Sequence, residues 1–124
     1  MKLENQVVSL NLAKRLKGIG VKQCSHFFWE EPNREWGHIE WCVTHELNDD
    51  LKHFSAFTVA ELGELLIGDR DFFSGRNWND AVFGCNAYRG RDYVHRVEAD
   101  TEADARAKML IYLIENGHIE SPVR

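Results

Sequence analysis

Four residues in the first half of the chain, Cys24, His26, His38 and Cys42, are of the types that ligate zinc. If 24–30 and 38–44 pair as strands, the two-residue period puts Cys24 and His26 on one face. His38 and Cys42 likewise share a face. With Phe27, Trp29, Ile39, Trp41 and Val43 turned inward, all four stand on the other side. Thiolates and neutral imidazoles in a tetrahedron suit zinc, so a Cys2His2 metal site is the chemistry to test. The spacing opposes it. Structural zinc sites take ligand pairs from knuckles or one helix turn, and no Cys-x2–4-Cys occurs here. Scattered Cys and His on a partly covered strand pair is the plainer reading, and no cofactor is expected. His45 and His53, beside the polar 46–50, read as surface histidines.

Nucleophilic chemistry has less to stand on. Cys85 and His95 can be drawn as a thiol–base pair, but no nucleophile elbow or oxyanion-hole motif accompanies them. Cys85 alternates with Phe83 and Ala87 and reads as a buried thiol behaving as a small hydrophobe. Gly18-Ile19-Gly20 lacks the third glycine and the preceding strand of a phosphate loop. The sequence is therefore read as non-enzymatic. Arg89, Arg91 and Arg96, with Tyr88, Tyr93 and His95, make a basic, aromatic hairpin that could hold phosphates while rings stack on bases. Against this nucleic-acid reading stand Asp92 and a formal charge of −5 from 15 basic and 20 acidic residues. The acidic run Glu98, Asp100, Glu102 and Asp104 suits the positive end of a following helix. Trp36 and Trp78 fall in expected loops; exposed there, they would mark a partner surface.

Periodicity and caps predict the helices and strands that carry these residues. Val8, Leu12 and Leu16 predict a helix over 10–17, capped by Ser9 and stopped by Gly18 at C′. Residues 26–30 and 38–44 read as strands joined into a hairpin by 31–37. Thr58 and Glu61 form a capping box, with Phe57 and Leu62 as its hydrophobic staple. That helix runs from 59 to about 67, with Val59, Leu62 and Leu66 inward. The Gly-, Asp- and Asn-rich 68–80 reads as a loop. Residues 81–88 and 92–98 read as a second hairpin, with Phe83, Cys85 and Ala87 facing Tyr93 and Val97. A last helix follows Thr101 to about Asn116 on the stripe Ala103, Ala107, Leu110, Ile111 and Ile114, and Gly117 stops it. The order α-β-β-α-β-β-α predicts an α+β fold: a four-stranded antiparallel sheet from two hairpins with three helices packed on it.

At 124 residues, 44% hydrophobic and 28% charged, the chain is sized and composed as one globular domain over 1–124, which excludes disordered and fibrous classes. Three cysteines are an odd count for a disulfide framework and point to a reducing compartment. The start Met-Lys-Leu-Glu-Asn-Gln does not read as a signal peptide, and no apolar run reaches the roughly 18 residues of a membrane helix. A cytoplasmic protein without membrane contact is expected.

Three stretches carry a resemblance. They are 8–17 (VSLNLAKRLK), 54–66 (FSAFTVAELGELL) and 103–117 (ADARAKMLIYLIENG). Together they resemble a family of small bacterial proteins encoded by bacteriophages and prophages, a family without an established activity, cofactor or catalytic residue. Members often carry Glu-Ser in place of Cys24-Ser25, which weakens a family-wide metal role for Cys24. The resemblance implies a phage or prophage protein in the bacterial cytoplasm. The expectation is a binding or accessory protein acting through protein–protein contacts, with a protein partner or a homo-oligomer. The alternatives are nucleic-acid binding through Arg89, Arg91 and Arg96, and metal binding through Cys24, His26, His38 and Cys42.

Overall fold

The computed structural model describes residues 2–32, 40–45, 52–66, 71–76, 82–89 and 92–117; of 71–76, Arg89 and Asp92 it describes the backbone. The chain is a mixed α+β structure with two antiparallel sheets. Helix α1 (Leu3–Gln6) is a single turn, and α2 spans Leu10–Gly18. Strands β1 (Phe28–Glu30), β2 (Cys42–Thr44) and β3 (His53–Ser55) form one sheet in the order β2-β1-β3. Helix α3 is Val59–Leu66. Strands β4 (Asp71–Arg76), β5 (Phe83–Arg89) and β6 (Asp92–Ala99) form the second sheet in that order, and α4 is Glu102–Glu115.

Each expected hairpin is present as an antiparallel pair, but the two do not join into one four-stranded sheet. Each gains its own third strand instead: β3 pairs with β1, setting Phe54 opposite Trp29, and β4 pairs with β5, setting Ser74 opposite Cys85. Strand β4 lies inside the stretch read as a loop. Its glycine and polar neighbours mask a run that pairs with the next strand, β5.

Helix α4 explains why two sheets are needed. Ala103, Ala105, Ala107, Met109, Leu110, Ile111 and Leu113 are all buried, which is more than one amphipathic stripe. The β5–β6 layer packs on α4, and so do α2 and α3; α2 in turn packs on β3. The expected stripe through Ile114 is therefore too narrow. Ile114 itself is only partly buried.

The helix ends show local chemistry at work. Thr101 caps α4, its Oγ1 accepting the Asp104 N–H at 3.2 Å. Ser9 makes no side-chain cap; its own N–H donates to Asp104 Oδ1 at 2.6 Å. Helix α2 runs through Gly18 and ends at Gly20, where φ is +95°. The Val21 N–H donates to the Leu16 carbonyl and the Gly20 N–H to the Lys17 carbonyl, both at 3.0 Å. This is a Schellman motif with Gly20, not Gly18, at C′ and Val21 buried beyond it.

The two glycines should respond oppositely to alanine. Gly18→Ala adds a Cβ that meets nothing within 4 Å and should stabilise the chain by about 0.5–1 kcal/mol. Gly20→Ala forces a side chain into positive φ and should cost about 1 kcal/mol. Urea unfolding of both variants reads the two signs.

Candidate functional site

Three helix starts converge on one place. The Thr58 N–H donates to Glu61 Oε1 at 3.0 Å and the Glu61 N–H to Thr58 Oγ1 at 3.2 Å, the reciprocal capping box that the sequence predicts. The Val8 N–H donates to the Phe57 carbonyl at 2.9 Å, tying the approach to α2 against the start of α3. Arg106 Nη1 donates to the Val59 carbonyl at 2.8 Å, which ties α4 to the first turn of α3.

Between α1 and the starts of α3 and α4 lies a groove of about 630 Å³. That volume is in the range of ligand sites. Its apolar lining is Leu3, Phe27, Val59 and Phe83, and Asn5, Gln6, Thr58 and Thr101 add polar groups. Asp100 and Glu102 add carboxylates, and Asp100 is exposed. The caps matter for its chemistry. Thr58 and Thr101 already accept the N–H groups of Glu61 and Asp104. The groove thus offers apolar surface and negative charge rather than an open cradle for an anion.

Of the zinc-type residues, Cys42 is not brought to Cys24 and His26. Cys24 and His26 line a second pocket of about 420 Å³ beside α3, with Glu61 and Glu64. The His26 N–H donates to Glu61 Oε2 at 3.1 Å, so the same carboxylate serves the capping box and the chain before β1. Cys42 lies opposite Glu30, at the far end of β1 from Cys24 and His26. His38 lies outside the described residues. Strand β1 begins only at Phe28, so the period that was to align Cys24 with the ladder is missing. Among the described residues no group of three or more His, Cys, Asp or Glu side chains is placed to hold a metal ion. His45 is exposed, and His53 meets the Phe28 ring edge-on with centroids 5.7 Å apart.

The thiols inside the fold are held protonated. Burial pushes the Cys85 thiol up to about 11; Arg106 and Arg96 pull it down and Glu102 raises it. Cys42 is raised by partial burial, then by the Glu30 and Glu4 carboxylates. Cys85 lies opposite Val97, and His95 lies opposite Ala87, two positions along the ladder. The His95 ring stacks on Tyr112 with centroids 3.7 Å apart. That contact binds β6 to α4 and gives His95 a packing role.

The arginine hairpin divides. Arg89 ends β5 opposite Asp92, and Arg91 lies outside the described residues, as do Trp36 and Trp78. Arg96 lies flat across β5. A Cβ on Gly84 would overlap its guanidinium, Nη1 donates to Asn86 Oδ1 at 3.1 Å, and Nε donates to Glu98 Oε1 at 3.3 Å. Tyr93 does not face the core with Cys85. A β-bulge between Ala87 and Tyr88 shifts the register, so Tyr93 lies opposite Tyr88, their rings meeting edge-on at 5.9 Å. Tyr93 is 59% exposed, the one exposed large hydrophobic side chain among the described residues.

The chain matches no family model, no curated protein and no solved structure. The groove was not visible in the sequence. Its lining comes from α1, the approach to β1 and the starts of α3, β5 and α4, and only the two cap motifs carried a local signal.

The raised Cys85 pKa predicts a pH dependence with a definite sign. The folded chain disfavours the thiolate, so this contribution to stability is whole below the ordinary value near 9 and is lost as pH rises toward about 11. Urea unfolding below pH 9 and near pH 11 should show that fall in the wild type. Cys85→Ala should remove the part due to this group, at most about 3 kcal/mol.

Proposed function

We propose that this chain is a small non-enzymatic binding protein of phage or prophage type. It seats a segment of a protein partner in the groove between α1 and the starts of α3 and α4. The observation that carries this reading is the composition of that groove. Leu3, Phe27, Val59 and Phe83 offer apolar contact, and Asp100 and Glu102 set negative charge beside it. A partner segment with one or two apolar side chains flanked by Lys or Arg has the complementary chemistry, and the chain's charge of −5 favours its approach. The resemblance of 8–17, 54–66 and 103–117 to phage-encoded proteins supports the source.

The other readings draw less support. Arg96, one of three arginines in the nucleic-acid reading, is engaged by Asn86 and Glu98. Cys85 and Cys42 are held as thiols, which suits packing better than nucleophilic attack.

A photo-crosslinking residue at Asn5, beside the groove, should capture one protein in the bacterial host. Leu3→Asp in the same chain should abolish that capture. The same crosslinker at the exposed Lys14 should not capture it. Equal capture at both positions, or capture that survives Leu3→Asp, would count against the groove.

A further inference from the structure

We propose that β6 is a dimerisation edge on which β6 of a second copy pairs antiparallel, about a two-fold axis at Val97. Among the described residues β6 pairs with β5 alone and stands at the margin of its sheet. Lys108 Nζ, on α4, donates to the Glu98 carbonyl at 2.9 Å. The pairing takes that carbonyl to face away from β5, with the ammonium capping it on the open side. In an antiparallel ladder the N–H and C=O of one residue point to the same side and alternate along the strand. Arg96 and Glu98 thus turn their backbone groups outward, while Val97, between them, turns its own toward Cys85.

The segment free to pair has clear limits. The bulge that displaces Val94 interrupts the strand on one side, and Ala99 ends it on the other. His95 to Ala99 remains, and its midpoint is Val97. A two-fold at that midpoint sets Arg96 opposite Glu98 of the second copy, and Glu98 opposite its Arg96. Val97 then meets its own counterpart. The Arg96–Glu98 pair becomes a hydrogen-bonded pair of the new ladder, which fits the outward direction of both backbones. Neighbouring two-fold registers are worse. One centred on Arg96 or on Glu98 sets like charge against like, which destabilises a strand pair. The segment therefore complements itself in one register, as an isologous contact requires.

Lys108 is the group such a pairing displaces. In the free chain it covers the Glu98 carbonyl, one of the ways in which a lysine protects a sheet edge. In the dimer that carbonyl accepts the Arg96 N–H of the second copy, and the ammonium is released to solvent. The pairing does not depend on the groove.

Sedimentation equilibrium of the full chain over a range of concentrations tests this. The wild type should approach the mass of two chains as concentration rises. Arg96→Glu sets glutamates against each other at both ends of the ladder and should weaken dimerisation about tenfold. Combining it with Glu98→Arg restores opposite charges and should restore the dimer. Glu98→Pro removes an outward N–H that β5 does not use, so far-UV circular dichroism should be unchanged and the dimer lost. Lys108→Ala uncovers the carbonyl and should tighten the dimer. A chain that sediments as one copy at every concentration would overturn the proposal, as would a dimer that Glu98→Pro leaves intact.

Discussion

Ala103, Ala105 and Ala107 have no exposure at all, although alternate residues of a helix point to nearly opposite sides. Helix α4 must therefore be covered from both sides at once, and that constraint organises the rest of the chain. The β5–β6 layer covers one side, α2 and α3 cover the other, and the small sheet backs α2. Alanine suits the place because its small side chain lets both layers approach closely. The larger Met109, Leu110 and Leu113 then fill the space on the following turns.

The polar contacts around α4 serve the same arrangement. Asp104 takes the Ser9 N–H, Arg106 reaches the Val59 carbonyl, and Arg15 meets Glu115 at 2.9 Å. Each joins α4 to a neighbouring helix. The exposed Arg15–Glu115 pair contributes little by itself. The partly buried contacts of Asp104 and Arg106 matter more, because they fix where the helices start and so shape the groove.

What was legible in the sequence was local. Thr58 and Glu61 stand three residues apart, and their mutual bonds formed as that spacing predicts. The start of α4 after Thr101 was legible too, from the acidic first turn and the apolar stripe that follows. What was not legible depended on the partner strand rather than on the segment's own pattern. His53-Phe54-Ser55 is too short to show a period, and it becomes a strand because β1 lies beside it. Asp71–Arg76 carries turn-forming residues and becomes a strand because β5 offers a ladder. Tyr93 changed faces because one bulge reverses the alternation beyond it. The alignment of Cys24 with Cys42 fails on the same ground: it assumed that the strand reached back to Cys24, whereas the ladder begins at Phe28. The groove gathers five separate stretches, and no spacing along the chain could encode it.

Glu61 holds the Thr58 N–H with one oxygen and the His26 N–H with the other. The stretch 21–27 has no ladder of its own, and its backbone is tied to Leu16 at one end and to Ala56 at the other. Through Glu61 it is also latched to the first turn of α3, so the two are expected to open together. The His26 amide should then exchange with solvent on the slow schedule of a helix start, so that the apparent linker behaves as part of the frame.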